Sequence, residues 1–120
     1  MCLGGLTSRN IVQVFADYTR EVARRFGGRL ASFSTLNEPW CAATLGYEAA
    51  QFAPGQINRA TATQVSHHLM MAHGAAISAV RSGCKTRLGV ALNHTSAFAG
   101  EAKESDGRTA RMDDGLSVRR

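Results

Sequence analysis

Residues 29–39 read Arg29-Leu30-Ala31-Ser32-Phe33-Ser34-Thr35-Leu36-Asn37-Glu38-Pro39, and the architecture turns on this stretch. Leu30, Ala31, Phe33 and Leu36 give a nearly continuous apolar run, diluted by Ser32 and Ser34. Such a run suits a strand of a parallel sheet covered on both faces better than a half-solvated strand, which alternates strictly. The expected strand spans 29–35. Pro39 then stops any ladder, because it has no N–H to give and fixes the backbone as the chain leaves the sheet. Glu38 therefore falls immediately after a buried strand.

Upstream, residues 10–26 predict a helix. Ile11, Val14, Phe15, Tyr18, Val22 and Phe26 recur at three- and four-residue steps and form one apolar stripe. Ser8 or Asn10 can cap its start, and Gly27-Gly28 stops it. Downstream, 37–60 shows little regular pattern and holds Gly46, Pro54 and Gly55. A loop of that length inside a compact domain is usually functional. A second helix is expected over 61–82, with Val65, Leu69, Ala72, Ala76 and Val80 on one face, Met70 and Ile77 beside it, Asn58 or Thr61 as cap and Gly83 as stop. A second strand is expected over 86–93, where Leu88, Val90 and Leu92 alternate with small residues. From Ala97 the chain turns polar, and a third helix is expected to begin near Gly107.

Strands and helices alternating at this spacing signal βαβ units and a parallel sheet. Two parallel strands cannot close a sheet, so the pattern reads as an internal slice of something larger, either an eight-fold barrel or a doubly wound sheet. No glycine-rich phosphate loop follows either strand, which favours the barrel.

Composition narrows the function. The chain has 120 residues and a formal net charge of +5, from 14 Lys+Arg against 9 Asp+Glu. The basic residues are scattered, with no aromatic interleaving and no basic run of five or more, so nucleic acid is not an expected partner. No stretch of about 18 apolar residues is present, so no membrane span is expected. Residues 1–10 carry no signal-peptide pattern. Cys2, Cys41 and Cys84 are odd in number and widely spaced, which indicates free thiols in a reducing cytoplasm rather than zinc or a disulfide framework. His67, His68 and His73 lie on one helix at spacings that do not bring two rings together as i, i+4 would.

Glu38 at a strand exit is where an α/β barrel keeps its chemistry. A carboxylic acid there can protonate a glycosidic oxygen, and the amide of Asn37 can hold a neighbouring hydroxyl. The plainer reading is a surface carboxylate at a strand end. Trp40 and Tyr47 either stack on a sugar or pack the loop. Asn93 and His94, at the end of the second strand, either line the same site or form a simple turn.

The segment Thr35-Leu36-Asn37-Glu38-Pro39 resembles the acid/base segment of glycoside hydrolase family 1, the β-glucosidase family. The resemblance continues through Trp40, Leu45-Gly46-Tyr47, Phe52-Ala53-Pro54-Gly55, His67-His68-Leu69 and Ala72-His73-Gly74-Ala75-Ala76. It reaches back to Phe15-Ala16-Asp17-Tyr18 and Arg25-Phe26-Gly27, and forward to Ala110-Arg111 and Asp113-Asp114-Gly115. It implies an α/β fold that is part of a (β/α)8 TIM barrel, with these strands as the fourth and fifth, and a partial catalytic domain over 1–120, incomplete at both ends. It implies Glu38 as proton donor and then base, and Asn37 on the sugar 2-hydroxyl; Trp40 and Asn93 stay candidate substrate contacts from their positions alone. No metal or cofactor is expected, and the substrate is a small β-glycoside or oligosaccharide, glucose being the expected sugar. The Ala- and Arg-rich composition fits a bacterial cytoplasmic enzyme. Phe33 stands where many members carry Trp. The family's nucleophile segment, Thr/Ile-Glu-Asn-Gly, does not occur in this sequence, nor do its early glutamine site and its His-Trp pair. The alternative is a truncated, inactive α/β piece or a binding domain.

Overall fold

The computed structural model describes residues 4–94 together with 98, 100, 105 and 107–112. Helix α1 runs Ile11–Phe26, strand β1 Ser32–Asn37, helix α2 Arg59–Arg81 and strand β2 Arg87–Ala91. The two strands pair in parallel, as the βαβ spacing predicts. Residues 107–112 are helical, in keeping with the helix expected near Gly107; its continuation lies outside the described residues. No helix among the described residues is long and apolar enough to cross a membrane.

Helix α2 forms where its pattern placed it. The Asn58 side chain accepts the Thr61 amide at 3.1 Å, satisfying one of the donors that a helix start leaves unpaired. Val65, Leu69, Ala72, Ala76 and Val80 are all buried. Val65 and Leu69 form the core with Ala43, Tyr47 and Ala62, and Leu6, Leu36 and Ala42 pack against it.

Helix α1 differs from expectation in its orientation. It buries Ala16, Thr19 and Ala23 where it lies against α2, while Val14, Tyr18 and Phe26 are exposed, Tyr18 at 64%. The face made of small residues allows the closer approach of two helix axes. At 100° per residue the large apolar stripe is rotated roughly a quarter turn away from it. Neither Ser8 nor Asn10 supplies a side-chain cap to the helix; the Ser8 hydroxyl accepts the Asn10 amide instead.

Strand β1 begins and ends later than the apolar run suggested, running to Asn37, which pairs with Ala91. Its residues are half-buried or exposed rather than covered on both faces, and an open depression of about 540 Å³ lies along Phe33, Leu88 and Val90.

The stretch expected as a patternless loop contains regular structure. Residues 39–47 are helical, with a wide π turn at Cys41–Leu45. Two turns are too short for a periodic signal. The rest of the loop is tied back to this turn. Gln51 and Phe52 donate to the Leu45 carbonyl, Gln56 to Gly46 and Asn58 to Tyr47. Gly46 is required there, since a Cβ would stand 2.9 Å from the Ala53 carbonyl oxygen.

Candidate active site

The end of β1 is shaped by an irregularity. Ser34 pairs with Gly89 and Asn37 with Ala91, so three steps along β1 match two along β2. An extra residue of this kind bends a strand and re-aims the side chains beyond it. Glu38 is the first residue past the bend. Its amide donates to the Ala91 carbonyl at 2.8 Å, and its own carbonyl accepts the Cys41 amide at 2.9 Å. Between these two bonds the Glu38 backbone takes φ 45°, a left-handed conformation that costs a residue with a Cβ about 1–2 kcal/mol. Such conformations concentrate at functional sites, where the surroundings hold them in place. Pro39, buried, opens the helical turn, a position where its missing N–H costs nothing.

The Glu38 side chain is half-buried. The Cys41 thiol donates to its Oε2 at 3.4 Å, and Asn93 Nδ2 donates to Cys41 Sγ at 3.5 Å. Burial, and then the neighbouring Glu38 carboxyl, push the Cys41 thiol up from its usual range, so at neutral pH it is an uncharged donor and not a thiolate nucleophile.

The structure brings Asn93, from the end of β2, into this cluster. Asn37 is the last residue of β1 and is exposed. Trp40, in the first helical turn, is 43% exposed. His94 is exposed beside Asn93. Of the two readings of Tyr47, packing holds: it belongs to the core. The sequence carries no signal for the contact of Cys41 with Glu38, because a three-residue spacing means contact only on a helix and residues 39–47 are too short a helical stretch to show a period.

Two histidines of α2, His68 and His73, hold structure together. His68, 5% exposed, donates from Nδ1 to the Leu6 carbonyl at 2.9 Å and pins the N-terminal turn to α2. Thr35 Oγ1 donates its one proton to the Gly89 carbonyl at 3.2 Å. The 2.6 Å contact between His73 Nδ1 and that same hydroxyl therefore needs the proton on the ring nitrogen. Among the described residues no three or more of His, Cys, Asp and Glu come together as a group that could hold a metal ion.

The other described acids are engaged elsewhere. Asp17 pairs with Arg20, Glu21 with Arg24 and Arg25, and Glu48 lies 3.8 Å from Arg59. Glu101, Glu104, Asp106, Asp113 and Asp114 lie outside the described residues.

The family model for glycosyl hydrolase family 1 matches residues 1–116. The chain belongs to this family. A β-glucosidase of Agrobacterium is 37% identical over 108 residues, covering 89% of this chain and 24% of that protein. A bifunctional β-D-glucosidase/β-D-fucosidase of Bifidobacterium breve is 42% identical over 92 residues, covering 75% and 20%. Among solved structures, the family 1 β-glucosidase of Thermotoga maritima superposes with a TM-score of 0.90 at 32% identity, over 95% of this chain and 26% of that one. The chain thus spans about a quarter of the length of the relatives it matches. Helix α1, β1, α2 and β2 are a portion of the (β/α)8 barrel of family 1.

Proposed function

We propose that residues 1–120 are part of the catalytic domain of a retaining β-glycosidase and that Glu38 is its acid/base. The observation that carries this reading is the placement of Glu38 at the C-terminal end of a barrel strand, where α/β barrels assemble their active sites. Its strained φ of 45° adds support. In the first half-reaction the Glu38 carboxylic acid protonates the departing glycosidic oxygen. In the second its carboxylate takes a proton from the water that cleaves the glycosyl-enzyme. Asn37 holds the 2-hydroxyl next to the reacting carbon, and Trp40 and Asn93 line the site. The nucleophile, a second carboxyl about 5–5.5 Å from the first in retaining enzymes, comes from a segment other than these. The substrate is a small β-glycoside; the names of the relatives favour glucose as the sugar, and two solved complexes of the Thermotoga maritima enzyme hold deoxynojirimycin and glucoimidazole. The half-buried free thiols Cys41 and Cys84 fit a bacterial cytoplasm.

Setting the 120-residue stretch in place of its counterpart in the Thermotoga maritima β-glucosidase tests this directly. The graft is expected to bind deoxynojirimycin and to release phenol from phenyl β-glucoside. Glu38→Ala in that graft is expected to lower kcat/KM by roughly 10²–10⁴ while binding persists. A graft that binds the inhibitor and turns over equally with and without Glu38 would refute the reading. The 120-residue chain by itself is expected to release no nitrophenol from an aryl β-glucoside.

A further inference from the structure

Three groups meet at the exit of β1. They are the Glu38 carboxyl, the Cys41 thiol 3.4 Å from its Oε2, and the Asn93 side-chain amide 3.5 Å from the sulfur. They come from the strand end, from the first residue of the π turn, and from just beyond β2. We propose that Cys41 is a positioning residue for Glu38, its thiol donating to one carboxyl oxygen while Asn93 orients the thiol from the other strand. The inference deepens the assignment of Glu38 as acid/base and rests on it.

The chemistry suits the role. A glutamate side chain has three rotatable bonds, and an acid that must meet a leaving-group oxygen needs them fixed. A thiol is a weak donor, so it fixes one oxygen while leaving the group free to exchange its proton. A stronger, charged donor would hold the carboxylate ionised. Burial keeps the sulfur protonated, and the carboxylate adds to that effect. The wide turn at Cys41–Leu45 is the kind of helical irregularity found at functional sites. Among the groups acting on the thiol, Glu38 is the charged one and Asn93 is neutral.

The contact can be read in the 120-residue chain without turnover. Iodoacetamide alkylation of Cys41 is followed against pH, peptide by peptide, by mass spectrometry, with Cys84 as internal reference. Removing the carboxylate charge in Glu38→Gln lets the thiolate form at lower pH, so alkylation of Cys41 at pH 8 is expected to speed up about threefold while Cys84 is unchanged. Asn93→Ala removes the donor that favours the thiolate and is expected to slow Cys41 about twofold. Equal rates at Cys41 in the wild type and Glu38→Gln overturn the proposal. A parallel rise at Cys84 marks general loosening, and then Asn93→Ala decides: without slowing at Cys41 the proposal fails. Because the readout is thiol reactivity, it separates failure of this contact from failure of Glu38 as a catalyst.

Discussion

The amide of Glu38 donates to the carbonyl of Ala91 at 2.8 Å. This one bond carries the strand ladder a residue past β1 and anchors Glu38 to the end of the neighbouring strand. It also explains how a residue with a Cβ is kept at φ 45°. Rotating away would break this bond and the one from the Cys41 amide to the Glu38 carbonyl.

The strain gives a first prediction. Glycine meets no Cβ penalty in the left-handed region, whereas alanine does. Both Glu38→Gly and Glu38→Ala lose the carboxyl contacts, so their difference isolates the backbone. The glycine variant of the chain is expected to be the more stable by about 1 kcal/mol, read from urea unfolding midpoints. Equal midpoints would remove the case for strain at this residue.

A second concerns the pin between the sheet and α2. Thr35→Val removes the hydroxyl that accepts from His73 and donates to Gly89. The loss is expected to destabilise the chain by about 1–2 kcal/mol. His73→Ala made on top of Thr35→Val should then cost less than His73→Ala alone, since neighbours in one network are not additive. Full additivity would show that the two side chains do not communicate.

A third concerns pH. Hydrogen bonds from Arg24 and Arg25 lower the Glu21 carboxyl from 4.5 to about 2. A folded-state value below the unfolded one means that the group stabilises above pH 4.5 and loses that contribution as pH falls from there through about 2. The three side chains are exposed on the last turns of α1, so the effect is small and screened by salt. Thermal melts by circular dichroism are expected to drop between pH 6 and pH 2.5 by more in the wild type than in Glu21→Gln. The gap is expected to narrow in 1 M NaCl. An identical pH response in both would contradict the pairing.

Much of this fold was legible in residues with strong local signals. Helix α2 was legible in the spacing of Val65, Leu69, Ala72, Ala76 and Val80, and of the two cap candidates, Asn58 and Thr61, Asn58 caps it. Strand β2 was legible in the alternation of Leu88 and Val90. The apolar stripe of α1 was legible too, but which face would meet α2 was not. Hydrophobicity ranks Tyr18 and Phe26 above Ala16 and Ala23, while the fit between two helices ranks them in reverse. The irregularity between Ser34 and Asn37 left no trace in the sequence, because an unpaired strand residue has no characteristic side chain. The helical turn at 39–47 was hidden because it is too short to show a period. Glu38 and Asn37 could be singled out from their place after the strand and from the surrounding motif. The contact of Cys41 with Asn93 spans 52 residues, and only the pairing of the two strands brings it about.

The measurement that bears most directly on Glu38 is azide rescue of Glu38→Ala in the Thermotoga maritima graft. A dinitrophenyl β-glucoside carries a leaving group that departs without protonation, so the glycosyl-enzyme still forms. Its breakdown stalls because no base activates water, and azide, already an anion, needs none. Sodium azide is expected to restore turnover of Glu38→Ala and to give β-glucosyl azide with retained configuration, leaving the graft with Glu38 intact unaffected. A Glu38→Ala graft that hydrolyses the substrate at the parent rate, with no azide effect and no azide product, would show that the acid/base lies elsewhere.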